Sequence, residues 1–332
     1  MTGDGTELSE ESRGMHGETP HESKTPGPRP RVRFYRRGRS CQRQARLARG
    51  AQACDNHAMD FMDWIRHPAS DFNIVLFVAL AAAAVIVMGV GKGGFGGGAG
   101  SLSVPLMMQT GVPARSVLGA WLPILLVCDI FTLRSYPRQW SRRAVALLVP
   151  GALGGIAIGL AVLDSFKGRE HWLRITIGAM ALVFAAFFAL RGRLEKRLEE
   201  EPAWRPGWLA GTAAGLVAGA ATVLCHSAGP VTTVYLLPQK LDKQSFVGTT
   251  ARFYVMLNLV KVPLFLWQGI IDEPTLKFSA WMWVLCPPGV WLGSWLNRRI
   301  SPSGFVRVIY VLLAIAGGKL VFDGLRAALT GG

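Results

Sequence analysis

Lys92, Asp129, Arg252 and Lys261 each stand within a stretch that is otherwise apolar, with Asn258 between the last two and a Cys225-His226 pair upstream of them. A charge inside a membrane span costs about 2.5 to 3.5 kcal/mol on insertion scales, so such a residue faces a partner or a polar cavity. A cavity gathering Lys92, Arg252 and Lys261 would favour a small oxyanion, through charge and through N–H donors. Each residue also has a plainer reading: Lys261 runs its stem to an interface, Arg252 pairs with Asp129, and Lys92 sits at a membrane face. Cys225 and His226 with Asp129 would be the beginning of a transition-metal permease. Two adjacent ligands without a second pair define no metal site, and a polar histidine lining a cavity is the simpler reading. Lys319 and Asp323, four apart, read as a pair within one helix.

Lys92 opens a glycine-rich stretch, KGGFGGGAG, and Cys225-His226 interrupts a second one, GAATVLCHSAGP. Gly91, Gly93 and Gly96 fit the spacing GxGxxG, yet the preceding run FNIVLFVALAAAAVIVMGV has the length and character of a membrane helix rather than a strand. A Walker-type phosphate loop is excluded as well, because no Lys-Ser or Lys-Thr closes the glycines. Irregular backbone at membrane depth is tolerated only where protein or a water-filled cavity surrounds it. Gly96, Gly97 and Gly98, with Gly229 in the second stretch, are therefore expected to shape a cavity. A half-helix starting after each break would aim free N–H groups at an anion, whereas the alternative use of such glycines is close helix packing.

The elements that must position these residues are visible in the composition. The chain has 332 residues, half of them hydrophobic and 17% charged, with 39 glycines, 11 tryptophans and a net charge of +15. That is an all-α polytopic membrane composition, and its basic excess lies between apolar runs, where it orients the chain and implies no nucleic acid. Spans are expected at about 72–90, 116–133, 144–163, 172–190, 207–224, 246–268, 278–296 and 305–325, about eight in all. Half-length pieces at 101–110 and 229–238 follow the breaks as broken or re-entrant helices. Residues 1–58 read as a disordered basic tail or an extension ahead of a true start at Met59 or Met62. The five cysteines form no CxxC pair and imply neither a disulfide framework nor a metal centre, and no cofactor is expected.

The halves repeat. Gly94 and Pro105 match Gly219 and Pro230; Gly119 and Asp129 match Gly248 and Asn258; Pro150, Gly151 and Gly155 match Pro288, Gly289 and Gly293. The chain thus divides into a first membrane repeat (59–190), a charged cytoplasmic linker (191–206) and a second repeat (207–332). The basic loops around Arg134 to Arg143 and Arg191 to Arg205 should share the cytoplasmic side. In the second half the corresponding loop carries Asp272 and Glu273 instead, and Arg298 and Arg299 lie one loop later, which favours inverted over parallel copies.

GKGGFGGGAGSLSVPLM with Gly119, GLVAGAATVLCHSAGPVTTVYLL, FVGTT at Phe246 to Thr250 and the late Pro-Pro-Gly at 287–289 together resemble the sulfite exporter TauE/SafE family over about residues 72–325. The resemblance implies a duplicated bundle in the cytoplasmic membrane of a prokaryote that transports sulfite, sulfonates or related small oxyanions. No catalytic constellation such as GxSxG or HExxH is present, so no enzymatic activity is expected, and Cys225-His226 departs from the glycines common at that place in the family. Taken together, the residues expected to bind a small anion are Lys92, Gly96, Gly97, Gly98, His226, Gly229, Arg252, Asn258 and Lys261. Asp129 is the candidate for coupling to a proton or sodium ion. The expected partners are that anion and the lipid bilayer, with a second copy of the chain left open.

Overall fold

The computed structural model describes residues 74–299 and 303–330; the basic tail expected at 1–58 lies outside them. All regular structure among the described residues is helical. In chain order the helices are α1 (Ile74–Phe95), α2 (Ser103–Met108), α3 (Ala114–Ser135), α4 (Arg142–Ser165), α5 (Glu170–Glu199), α6 (Trp208–Cys225), α7 (Gly229–Leu236), α8 (Lys243–Trp267), α9 (Glu273–Met282), α10 (Cys286–Arg299) and α11 (Ser303–Thr330). Short 3₁₀ turns at Ala99–Leu102, Leu237–Gln239 and Trp283–Leu285 join or extend them.

Among the described residues six helices, α1, α3, α4, α5, α6 and α11, are long and apolar enough to cross a membrane, fewer than the eight spans expected. The two that differ have identifiable causes. α8 has the length, at 25 residues, but carries Arg252 and Lys261. The span expected at 278–296 is divided into α9, a 3₁₀ turn and α10. Pro287 and Pro288 lack N–H donors and crowd the carbonyls four residues back, which places the turn at Trp283–Leu285. The outer surface is apolar: Trp267 is 84% exposed, Leu209 and Val284 76% each. A contiguous apolar perimeter of this kind suits lipid.

The helices approach closely through glycine. α1 and α10 run in the same direction, and a Cβ on Gly94 would lie 2.4 Å from the Gly293 carbonyl oxygen. α4 and α6 also run together, with a Cβ on Gly155 falling 2.0 Å from the Leu216 oxygen. Such contacts exist only where the side chain is absent. α3 and α8, by contrast, are antiparallel: Gly119 early in α3 abuts the Ile270 carbonyl just past α8, and Gly248 early in α8 abuts that of Gln139 just past α3. α5 and α11 are antiparallel too, since Gly178 meets Gly317 while Gly324 meets His171.

These directions bring the ends of α1, α3, α5, α7 and α10 to one face with the starts of α4, α6, α8 and α11. That face collects Arg134, Arg138, Arg142, Arg143, Arg298 and Arg299. Between residues 191 and 206 the chain first continues α5 as helix to Glu199, then runs without regular structure to α6, anchored by a Trp204 backbone N–H that donates to the Pro238 carbonyl at 2.9 Å. On the same face Asp242 caps α8 and accepts from the Ser245 amide at 3.1 Å; hydrogen bonding to Ser245 holds its carboxyl below the usual carboxylate range.

Candidate functional site at the meeting of two helix breaks

The first break begins later than the sequence suggests. α1 continues through Lys92, Gly93 and Gly94 to Phe95, because those glycines are clamped against α10, so Lys92 belongs to the last helical turn and not to the break itself. The chain then reverses through Gly96 (φ +63°) and Gly97 (φ +84°), left-handed conformations that suit glycine, whereas Gly98 is already right-handed. The carbonyls freed at this helix end are met by protein groups: Gly91 by the Gly97 N–H at 2.9 Å, Gly93 by the Tyr136 hydroxyl at 2.8 Å, Gly96 by the Tyr254 hydroxyl at 2.9 Å, and Gly94 by the Asn297 amide. This satisfies the backbone without water.

The second break follows Cys225, the last residue of α6. His226 takes the left-handed conformation (φ 52°) that a glycine would hold without strain. A strained histidine persists when its side chain is fixed by its surroundings, and this one is: Nε2 lies 2.8 Å from the Leu118 carbonyl oxygen and Nδ1 lies 3.0 Å from the Lys261 ammonium. The two breaks touch, for a Cβ on Gly229 would come within 2.9 Å of the Gly97 backbone.

Around this junction lies a charged centre. Lys92 forms a buried ion pair with Asp129 Oδ1, and the Asn258 amide donates to Asp129 Oδ2 at 2.7 Å. Lys261, fully buried, donates to the Thr222 carbonyl, the Thr222 hydroxyl and His226 Nδ1, each at 3.0 Å. Both lysines thus lie at the C-terminal end of a broken helix, Lys92 on its own helix α1 and Lys261 reaching across to α6, where the helix dipole favours a cation. A small enclosed cavity of about 20 Å³ is lined by Lys92, Thr222, His226, Tyr254, Asn258 and the glycines Gly97, Gly100 and Gly229. That volume holds one water-sized group.

Arg252 is not part of this centre. It donates to the carbonyls of Tyr136 at 3.0 Å and Pro137 at 2.5 Å and packs its guanidinium over Trp140, so it caps the end of α3 at the basic face and does not meet Asp129. Cys225 faces the Met180 sulfur at 3.9 Å and the Ala221 carbonyl at 3.3 Å. No three His, Cys, Asp or Glu side chains among the described residues come together to hold a metal ion, and both ring nitrogens of His226 are engaged. Lys319 pairs with Asp323 at 2.7 Å within α11.

Sequence reasoning missed Tyr254, Thr222 and Thr232. The Tyr254 hydroxyl bonds Thr232 at 2.6 Å as well as Gly96, and the Lys92 ammonium lies 5.4 Å from its ring centre. A signal was present: Thr250, Tyr254, Asn258 and Lys261 recur at helical spacing and give α8 one polar stripe, all buried.

A larger cleft of about 880 Å³ opens on the basic face, with Arg191, Lys243, Arg307 and Asn297 on its walls and Gly94 and Phe95 at the end of α1 on its surface. Phe188 and Phe246 also line it, and their rings lie against Gly98 and Gly96. The first break therefore stands between cleft and buried cavity.

Apolar helices that break at a buried, hydrogen-bonded charge cluster define a polytopic membrane protein with a polar centre, the architecture of a solute transporter. The chain belongs to the sulfite exporter TauE/SafE family, whose model matches residues 80–320. Members of that family are membrane transporters that export sulfite and related sulfur anions, rather than enzymes. No curated protein and no solved structure matches the chain.

Proposed function

We propose that this protein is a secondary transporter of a small anion, with sulfite or an organosulfonate as substrate, working by alternating access in the cytoplasmic membrane. The observation that carries the reading is the charge count at the junction: two lysines, Lys92 lining the cavity and Lys261 bonded to His226 on its wall, stand against the single carboxylate of Asp129. A surplus cation buried at membrane depth calls for an anion. The cavity admits one water-sized group in this conformation, so binding a four- or five-atom oxyanion head requires the breaks to part.

An inverted two-repeat architecture supports alternating access. Corresponding residues meet their counterparts: Asp129 bonds Asn258, and Gly119 and Gly248 make the same contact with the loop after the opposite helix. The antiparallel pairing of α3 with α8 and of α5 with α11 suits a two-fold axis lying in the membrane plane. The basic face is the cytoplasmic one by the distribution of Lys and Arg, so the large cleft is the cytoplasmic approach to the site.

The test is flux of radiolabelled sulfite and short organosulfonates in proteoliposomes. Saturable flux is expected, falling at least tenfold in Lys261→Ala when the variant still folds. Absence of flux for every sulfur oxyanion in the intact chain would overturn the reading.

A further inference from the structure

The coupling ion can be read from the hydrogen bonds of the second break, on the basis of the anion reading above. The Leu118 carbonyl only accepts, so the His226 Nε2 at 2.8 Å from it carries a proton. That leaves Nδ1, 3.0 Å from Lys261 Nζ. Lysine ammonium has three N–H groups, and Lys261 has three acceptors: the Thr222 carbonyl, the Thr222 hydroxyl and Nδ1. One proton lies between Nζ and Nδ1. If it stays on Nζ, all three ammonium hydrogens are bonded. If it moves to Nδ1, the neutral amine still donates to both Thr222 oxygens and accepts from the ring. Two protons would set donor against donor at 3.0 Å, so the pair as built holds one.

An oxyanion entering the cavity changes that count. It brings acceptors and no donor; placed between Nζ and Nδ1 it accepts from the ammonium, but the bare lone pair of Nδ1 then faces oxygen lone pairs. The contact closes only when Nδ1 takes a proton from the aqueous phase, after which lysine and histidine both donate to the anion. The geometry points to His226 as the proton-coupling residue, which takes up one proton for each anion bound between it and Lys261. Asp129, by comparison, has its two oxygens engaged by Lys92 and Asn258. The charged and titratable groups facing the pair are Lys92 from α1, Asp129 from α3, Cys225 from α6 and Tyr254 from α8, and the Phe265 ring lies 6.1 Å from the imidazole. Of these only Asp129 is anionic, and it is paired, so the bound anion is what supports a second positive charge here. The left-handed backbone at position 226 is the strain that the chain accepts for a ring where glycine would fit.

The test uses the full chain in proteoliposomes with radiolabelled methanesulfonate, which stays ionised so that any proton movement belongs to the protein. One proton per monovalent anion gives about tenfold accumulation for each unit of pH gradient, since one unit corresponds to about 1.36 kcal/mol. His226→Gln, whose amide oxygen still accepts from Lys261, is expected to exchange methanesulfonate more slowly across the membrane and to lose gradient-driven accumulation. Accumulation in His226→Gln equal to that of the unaltered protein, or flux in the unaltered protein that ignores the gradient, overturns the proposal. Absence of flux for methanesulfonate and sulfite alike overturns the anion reading instead, and the shared proton is then decided by ¹⁵N NMR of the His226 ring. Protonated Nε2 with Nδ1 titrating freely only in Lys261→Met upholds sharing; the same Nδ1 titration with and without Lys261 overturns it.

Discussion

At the scale of single residues, the centre depends on pairing more than on any one charge. Removing one member of a buried ion pair leaves an uncompensated charge and costs about 3 to 5 kcal/mol, whereas replacing both with apolar groups of similar volume is often neutral. Lys92→Met and Asp129→Leu are each expected to lower thermal stability of the purified protein by that order, and the two together to recover most of the loss. Melting curves of the three variants check this, and additive losses would show that the two residues do not act as a pair. The sequence made Lys92, Asp129, Asn258 and Lys261 legible because charge and amide groups are rare in apolar runs. It did not disclose their partners. Charge alone groups Arg252 with them, yet a position nine residues from Lys261 lies on another level of the helix, and its guanidinium holds the backbone at the end of α3. Tyr254 is not legible in the sequence, because an aromatic ring reads as ordinary membrane filling and only the fold brings its hydroxyl to the Gly96 carbonyl.

At the scale of elements, the glycines fall into two kinds that sequence spacing does not distinguish. Gly96 and Gly97 supply positive φ, while Gly119 and Gly248 supply absence, each lying where a Cβ would come within 1.9 Å and 1.8 Å of a carbonyl oxygen. Gly119→Ala or Gly248→Ala is expected to separate α3 from α8 and to lose the folded protein from detergent extracts. Gly192→Ala, on an open stretch of α5 with no neighbour, should raise stability by about 0.5 to 1 kcal/mol. Size-exclusion profiles and melting temperatures separate the outcomes; a well-folded Gly119→Ala would mean that this approach is not needed. Most helix limits followed from the apolar runs. The exceptions have two causes, one tertiary and one local: α1 outlasts its expected end by the Lys92 to Phe95 turn because α10 supports it, and the Pro287-Pro288 pair divides what reads as one span.

At the scale of the whole molecule, the bundle is closed around its centre and recessed on the basic face. Arg307 and Lys243 line that recess and are exposed, so their field acts on an approaching anion through solvent. Neutralising them, as in Arg307→Gln with Lys243→Gln, is expected to raise the half-saturating substrate concentration several-fold at low ionic strength with little change in maximal flux. The difference should shrink above about 0.1 M salt, where screening acts within about 10 Å. Flux assays across a salt series check this, and a difference independent of salt would mean that these residues act by contact. On the inverted-repeat reading, the bond between Asp129 and Asn258 has a further meaning. Two separate copies of one half-length chain meeting at this point would have to present the same residue to each other. Two carboxylates would repel, and two amides would leave Lys92 without its counter-ion. A lone negative charge on the axis therefore requires halves that differ at this position, and joining them in one chain lets them differ, so the fusion serves the chemistry of the centre and is not merely a record of its ancestry.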